Sequence, residues 1–351
     1  MRKMSGYRIG WAAQVVLASL CSVFAGAGGG AQPYNVALVS RLPGHFEAVQ
    51  VVGRYAYISE NASFPGILRI FDVSNPSSPV ELGSLRLPSW VWGVHVRDGL
   101  AYVANGDAGL RIVDVRNPAA PTLSGSYATA GTAVDVFVSG ALAYIASAYG
   151  LQIVDVTNPS SPTLRGSYHT PGFAAEVFVS GGLAFIADET NLQIVDVTNP
   201  SSPFRRSSYN LGLGRMIRNV FVSKSVAYVT VTTSTAVVWN PYARLLAIDA
   251  ANPAAPSLLG SYGAKGAGAG IYVSGGLAYV LLGVGLEIFY IGNPSLPTLR
   301  GFYPCAEGLS PGVGEVLVSG DLVYVADGHD LLILQFTGRP AQASTYWQLY
   351  R

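Results

Sequence analysis

A tripeptide frame, alanine-aromatic-aliphatic, returns through the chain and leaves few folds open to it. The copies are Ala56-Tyr57-Ile58, Ala101-Tyr102-Val103, Ala143-Tyr144-Ile145, Ala184-Phe185-Ile186, Ala227-Tyr228-Val229 and Ala278-Tyr279-Val280, with Val323-Tyr324-Val325 as a seventh. The aromatic-to-aromatic steps are 45, 42, 41, 43, 51 and 45 residues. Behind each copy comes an aliphatic stretch that usually ends in Asp. Four of them then turn on Asn-Pro: Asp72 to Pro76, Asp114 to Pro118, Asp155 to Pro159 and Asp196 to Pro200. Asp249 to Pro253 is a fifth with Ala250 for Val. The sixth has Tyr290 in place of Asp, and the seventh, Leu331 to Phe336, has Gln335 and no Asn-Pro. A fixed period of this length marks a repeat architecture.

One copy predicts the unit. Glu176 to Val179 reads as strand a, Ser180-Gly181-Gly182 as a hairpin turn, and Leu183 to Ala187 as strand b. Leu192 to Val197 reads as strand c, and the stretch around Arg205 to Tyr209 as strand d. Strand c is apolar on both faces, as a sheet buried on both sides requires. No residues remain for crossover helices, which excludes a parallel α/β sheet. The seventh unit stops after strand c at Gly338, while Tyr34 to Gly44 resembles the strand d segment Pro162 to Gly172. The expected fold is therefore an all-β, seven-bladed β-propeller of four-stranded antiparallel blades, over residues 32–338, with the N-terminal strand completing the last blade. A solenoid or a pair of sandwiches does not predict this complementary trimming of the ends.

Composition agrees. Gly (41) and Pro (21) are spread along the 351 residues, as many turns demand. Mean hydropathy is +0.36, yet past the N-terminus no apolar run approaches the roughly 18 residues of a spanning helix. The formal net charge is +1 with no basic stripe, which argues against a nucleic-acid partner.

Residues 1–31 read differently. Arg2, Lys3 and Arg8 precede an uncharged stretch from Trp11 to Ala25 and the small residues Ala25-Gly26-Ala27 and Gly28 to Ala31. This is the pattern of a secretory signal cleaved near 27–31, so an exported protein (periplasmic, secreted or at the cell surface) is expected. An uncleaved anchor is the competing reading. Leu20 before Cys21 is too bulky for a usual lipobox. Without Cys21 the chain keeps Cys305 alone and forms no internal disulfide.

The phrase Leu151-Gln152-Ile153-Val154-Asp155-Val156-Thr157-Asn158-Pro159, recurring in register, resembles the LVIVD-repeat family. The resemblance covers residues 34 to about 336 and implies a propeller in an exported or surface protein of bacteria or archaea. It implies no catalytic residue and no general activity.

Function is sought where the units differ. The repeated Asp is read as a cap on the following turn. The residue nine before each repeated aromatic reads Ala48, Gly93, Asp135, Glu176, Asn219, Gly270 and Glu315. Asp135, Glu176, Asn219 and Glu315 are thus candidate ligand-binding residues at the channel mouth, where crowded carboxylates attract a cation or raise a pKa; a hydrated polar rim is the other reading. The long insertion of blade 5 adds Trp239, Tyr242 and Arg244, which suit a recognition loop or a decorated hairpin. Trp90 and Trp92 lie in the d-to-a loop before strand a of blade 2, where they join the same surface or cover the core rim.

His45, His95, His169 and His329 share no metal-ligand spacing, and His95 stands where other units carry a core aromatic. Asp327-Gly328-His329-Asp330 is the densest polar cluster, a metal site or a solvated turn. No HExxH, nucleophile elbow, P-loop or dinucleotide fingerprint occurs. The reading is a monomeric, non-enzymatic binding or scaffold protein recognising a protein or a glycan through its loops. No cofactor is predicted, with room left for a divalent cation. The alternative is a metal-assisted hydrolase or lyase at the channel mouth.

Overall fold

The computed structural model describes residues 33–338 except 213, 234–241, 266–267, 283–284 and 306–313, and leaves aside the side chains at 233, 242–243 and 264–265. Its strands form seven antiparallel sheets of four, each in the order a-b-c-d. In blade 3 these are Ala133–Ser139, Leu142–Ser147, Gly150–Asp155 and Thr163–His169. The a strands touch one another in sequence around the ring, including the first (Phe46–Val52) against the last (Glu315–Ser319). They therefore surround the axis, and the d strands form the outer wall. Because the strands alternate in direction, the d-to-a and b-to-c connections share one face with the starts of the a strands.

The expected closure is present. The strand Val36–Pro43 pairs with the last strand, Asp330–Phe336, and gives blade 7 its strand d. The pairing corrects the alignment of this strand by two residues: Leu38 pairs with Leu334 and Ser40 with Ile333, so Ser40 occupies the place of Gly166 in blade 3. The connection into blade 1 is two residues shorter than the sequence comparison suggested.

The repeated Asp and Asn act locally. Asp72, Asp114, Asp155, Asp196 and Asp249 each accept from the backbone N–H two residues on, at 2.8–3.0 Å. Asn75, Asn117, Asn158, Asn199, Asn252 and Asn293 do the same at 3.1–3.3 Å. These are Asx turns, and the proline fixes the chain inside them. Blade 6 replaces the ion pair that Arg165 and Arg206 make with the repeated Asp; there Arg300 lies over the ring of Tyr290 at 5.6 Å.

The turns also join the blades. Every strand d carries a β-bulge at one position. Where the next blade has an Asn-Pro turn, the residue after the bulge meets it; in blade 6, Gly301 meets Phe336 and Val36 of blade 7 instead. A Cβ on Gly83 would stand 2.5 Å from Pro118 O and 2.9 Å from Ala119 C, and one on Gly260 2.6 Å from Pro294 O. Where serine takes the place, its hydroxyl donates instead: Ser40 Oγ to Pro76 O at 2.5 Å and Ser207 Oγ to Pro253 O at 2.6 Å. The bulges further blunt the exposed outer edges against strand addition.

Apolar cores fill the spaces between blades. Leu192 and Ile194 of blade 4 cluster with Ile217, Val220 and Val229 of blade 5, and Val36, Leu332 and Leu334 of blade 7 with Leu286 and Ile288 of blade 6. The second residue of strand c tracks the blade: Arg69, Arg111, Gln152, Gln193, Leu246, Glu287 and Leu332. Glu287 is 6% exposed, and burial pushes its carboxyl up to about 7 with one oxygen unpartnered. Replacing Glu287 with Leu, the residue at this place in blades 5 and 7, is expected to raise the melting temperature at pH 8 by about 2–4 °C, since it removes roughly 1 kcal/mol or more of uncompensated burial. A lowered melting temperature would show that Glu287 has a stabilising partner.

Candidate functional site

The channel mouth is built from the starts of the a strands. In blades 1, 3, 4, 5 and 6 a bulge immediately precedes or includes the rim residue, and such a bulge re-aims the side chain that follows. An a strand has a hydrogen-bonding neighbour on one side only, so part of its amides face the axis. The acidic residues satisfy these amides across the blade boundary. Val177 N–H donates to Asp135 at 3.0 Å, Val220 N–H to Glu176, and Val49 N–H to Glu315 at 2.8 Å. Asn219 donates its backbone N–H to Thr230 Oγ1 of its own blade at 3.2 Å, and its side chain also hydrogen-bonds Glu176 of blade 4. Gly93 leaves space that Asp135 fills, since a Cβ there would lie 2.8 Å from Asp135 Oδ1.

Burial is the main influence on these carboxyls. It raises Asp135 to about 6 and Glu315 to about 8, and holds Glu176 well above the ordinary range. The charge of Asp135 adds to the rise in both glutamates. The three therefore share one electrostatic environment and resist joint ionisation. Two residues further along the same strands lie His95, Phe137, Phe178, Phe221 and Tyr272, whose ring centroids follow one another at 5.1, 5.0, 4.8 and 5.0 Å. This aromatic arc explains His95: burial, then the charge of Arg97, lowers it to about 4, and it serves as a core ring.

The contacts turn each rim carboxylate towards its neighbouring blade. Among the described residues, no group of three or more His, Cys, Asp or Glu is placed to hold a metal ion.

The insertion residues stand apart from the rim. Trp239 lies outside the described residues. Tyr242 opens strand c of blade 5 (Tyr242–Asp249), and Arg244 is exposed on that strand, two strands out from the axis. Trp90 meets Phe64 edge-on at 5.5 Å. In Asp327-Gly328-His329-Asp330, Asp327 accepts from the N–H groups of His329 and Asp330 at 3.0 and 2.7 Å, while Asp330 pairs with Arg41 of the closing strand. That cluster is a turn cap that helps to lock the ring.

The structure shows a surface that the sequence reading passed over. Tyr149, in the b-to-c loop of blade 3, is 60% exposed and stacks on His169 with centroids 6.4 Å apart and planes 23° apart. The pair edges a groove of about 490 Å³ lined also by Tyr127, Thr129, Leu164 and Tyr168. A groove of about 350 Å³ at the boundary of blades 7 and 1 is lined by Glu60 and Glu81, both paired with Arg69, and by Arg41. The signal for the first groove was present in the sequence, since Tyr149 has no counterpart in the matching loops.

Seven four-stranded sheets around one axis, closed by the first strand, define a β-propeller with an uneven loop face. Seven segments of the chain, 43–86, 90–129, 130–170, 171–211, 214–264, 265–304 and 312–335, match the LVIVD repeat. The protein belongs to the LVIVD-repeat family. No curated protein matches it in sequence. In fold it is similar to the beta-propeller domain of Cps50 (Swd1) from Myceliophteria thermophila, with a TM-score of 0.64 at 12% identity over 87% of this chain and 99% of that one. It is also similar to the WD40 beta propeller domain of Doa1 (TM-score 0.65, 11% identity, 86% and 97% covered). A third is a functionally unknown protein from Desulfotomaculum acetoxidans DSM 771 (TM-score 0.57, 14% identity, 74% and 86% covered). At these identities the likeness concerns the fold.

Proposed function

We propose that this protein is an exported, non-enzymatic binding protein that recognises a protein or a glycan through the face carrying the d-to-a and b-to-c loops. The observation that carries this reading is a set of exposed aromatic side chains on the loop face, although Leu296 and Phe204 are exposed at the opposite end. Leu38, Leu123, Leu164 and Leu258 are 46–52% exposed at one repeated place on the outer strands and belong to the scaffold. Phe64, Tyr149 and Phe173, 63%, 60% and 38% exposed, belong to no repeated position and stand on the loop face. Non-repeated aromatics on loops held by a rigid ring suit recognition. The flat Tyr149–His169 stack beside a groove with hydroxyl and carbonyl groups favours a sugar ring over a peptide strand, because aromatic faces pair with flat apolar faces.

Labelled protein on an array of bacterial and plant polysaccharides tests the reading. Tyr149→Ala is expected to lower retention on the bound glycans at least tenfold with no change in melting temperature. Retention that Tyr149→Ala leaves intact would remove the groove from the function.

A further inference from the structure

The loop end of blade 4 holds acceptors that the fold leaves short of donors. In blade 3, Gln152 is satisfied on both ends of its amide: Oε1 accepts from Ala130 N–H at 3.2 Å, and Nε2 donates to Ala130 O at 3.1 Å and to Ser147 Oγ at 3.2 Å. The same frame in blade 4 carries two changes. Asp188 stands where blade 3 has Ser147, and Pro171 where it has Ala130. Proline has no N–H, so Gln193 Oε1 loses the donor that Gln152 enjoys. Gln193 Nε2 donates to Asp188 Oδ2 at 2.8 Å. What remains is Gln193 Oε1, buried and unpartnered, and Asp188 Oδ1, buried with only the backbone N–H of Gly172 beside it, on residues 1% and 0% exposed. A buried acceptor left without a donor is costly unless something meets it.

A third oxygen borders the same space. A Cβ on Gly172 would collide with Asp188 Oδ1 and stand 3.0 Å from Glu189 Oε2. The bare Cα of Gly172 therefore lets both carboxylates close in on it. The loop that presents them is held from blade 5, where Ile217 N–H donates to Glu189 O at 2.6 Å and Leu211 N–H to Thr190 O at 3.0 Å. Two carboxylates and an amide oxygen make a hard, oxygen-only donor set with a formal charge of −2, which matches a divalent cation of calcium's type.

We propose that Asp188, Glu189 and Gln193 bind one calcium ion at the loop end of blade 4. The site lies on strand b, strand c and their connection, apart from the carboxylate rim at the axis, and it stands whether or not the aromatic groove binds a glycan. The Pro171 and Asp188 changes together remove a donor and add an acceptor at one spot; a cation satisfies both at once.

Calorimetry of the full chain with calcium chloride tests the proposal, alongside melting curves in calcium and in chelator. One equivalent of calcium is expected to bind, with a rise of a few degrees in melting temperature. Asp188→Ser recreates the Ser-Gln pair of blade 3, so it is expected to fold and to lose calcium affinity at least tenfold. Gly172→Ala pushes both carboxylates aside without a strained backbone and is expected to lose affinity as well. Two results overturn the proposal. One is no heat and no melting shift with millimolar calcium, which means that the two oxygens meet only water. The other is wild-type affinity in both variants, which places the ion elsewhere, the channel rim included. Should Asp188→Ser fail to fold, Gly172→Ala decides alone.

Discussion

Gly83→Ala is expected to be among the most damaging single substitutions in this protein, although it adds only a methyl group. The added Cβ would stand 2.5 Å from Pro118 O and 2.9 Å from both the carbonyl carbon and oxygen of Ala119. All three are backbone atoms of the neighbouring blade, in a turn fixed by Asn117 and Pro118, and none yields by a rotamer change. The φ of Gly83 lies outside the positive range, so the penalty comes from the blade-to-blade contact and not from its own backbone. Overpacking of this kind costs roughly 1–3 kcal/mol or more, which corresponds to a melting temperature lowered by about 2–5 °C or more in a ring of this size. Ser207→Gly makes the opposite change. It removes the hydroxyl that donates to Pro253 O and is expected to cost only about 1 kcal/mol. Thermal unfolding of the two variants beside the wild type measures both. If Gly83→Ala melts like the wild type, the Asn-Pro turns do not set the spacing between blades.

The second large effect is on pH dependence. Asp135 and Glu315, raised to about 6 and about 8, and Glu176, raised well above its ordinary value, are more basic in the folded ring than in the unfolded chain. The folded state therefore binds extra protons between roughly pH 4 and pH 8. Stability from the neutral acids is complete below the unfolded pKa values, near 4, and is lost as pH rises through 6 and then 8. The turn aspartates behave oppositely. Hydrogen bonds from Arg116 hold Asp114 down to about 2, so its contribution is present above about pH 4 and is lost as pH falls towards 2. The melting temperature is expected to peak near pH 4–6 and to fall by on the order of 5 °C by pH 9. Glu315→Gln keeps an acceptor for Val49 N–H and loses the charge, so it is expected to melt with the wild type at pH 5 and above it at pH 9. A wild-type melting temperature that holds or climbs from pH 5 to pH 9 would mean that the rim is ionised and satisfied in some other way.

Much of this was legible in the sequence. The blade count, the strand order and the closing strand followed from the spacing of the repeated tripeptide and from the strand d missing at Gly338. The rim residues were found by counting back nine positions from each repeated aromatic, and the structure places all of them at the starts of the a strands. Their direction was not legible. Whether Asp135 faces a shared centre or the next blade depends on a bulge and on an unpaired amide at Val177, and neither leaves a mark in composition. The closing strand is aligned differently for another reason: the connection into blade 1 is two residues shorter than its counterpart, and a shift of two leaves the alternation of inward and outward side chains unchanged. The Asp188–Gln193 site was missed, yet its signal was there: comparison of blades 3 and 4 residue by residue shows Ser147 against Asp188 and Ala130 against Pro171.

The sequence by itself determined the blade. Hydrogen bonding between successive strands, the Asx turns and the two-sided burial of strand c are all satisfied within about forty residues, so each copy records them. Only the tertiary structure decided what lies between blades. The Asn-Pro turn set against Gly83, the rim carboxylates reaching across to Val49, Val177 and Val220, and the arc of rings from His95 to Tyr272 all depend on closing the ring at one radius. Closure brings together residues some forty or more positions apart, and no local pattern encodes the angle at which they meet.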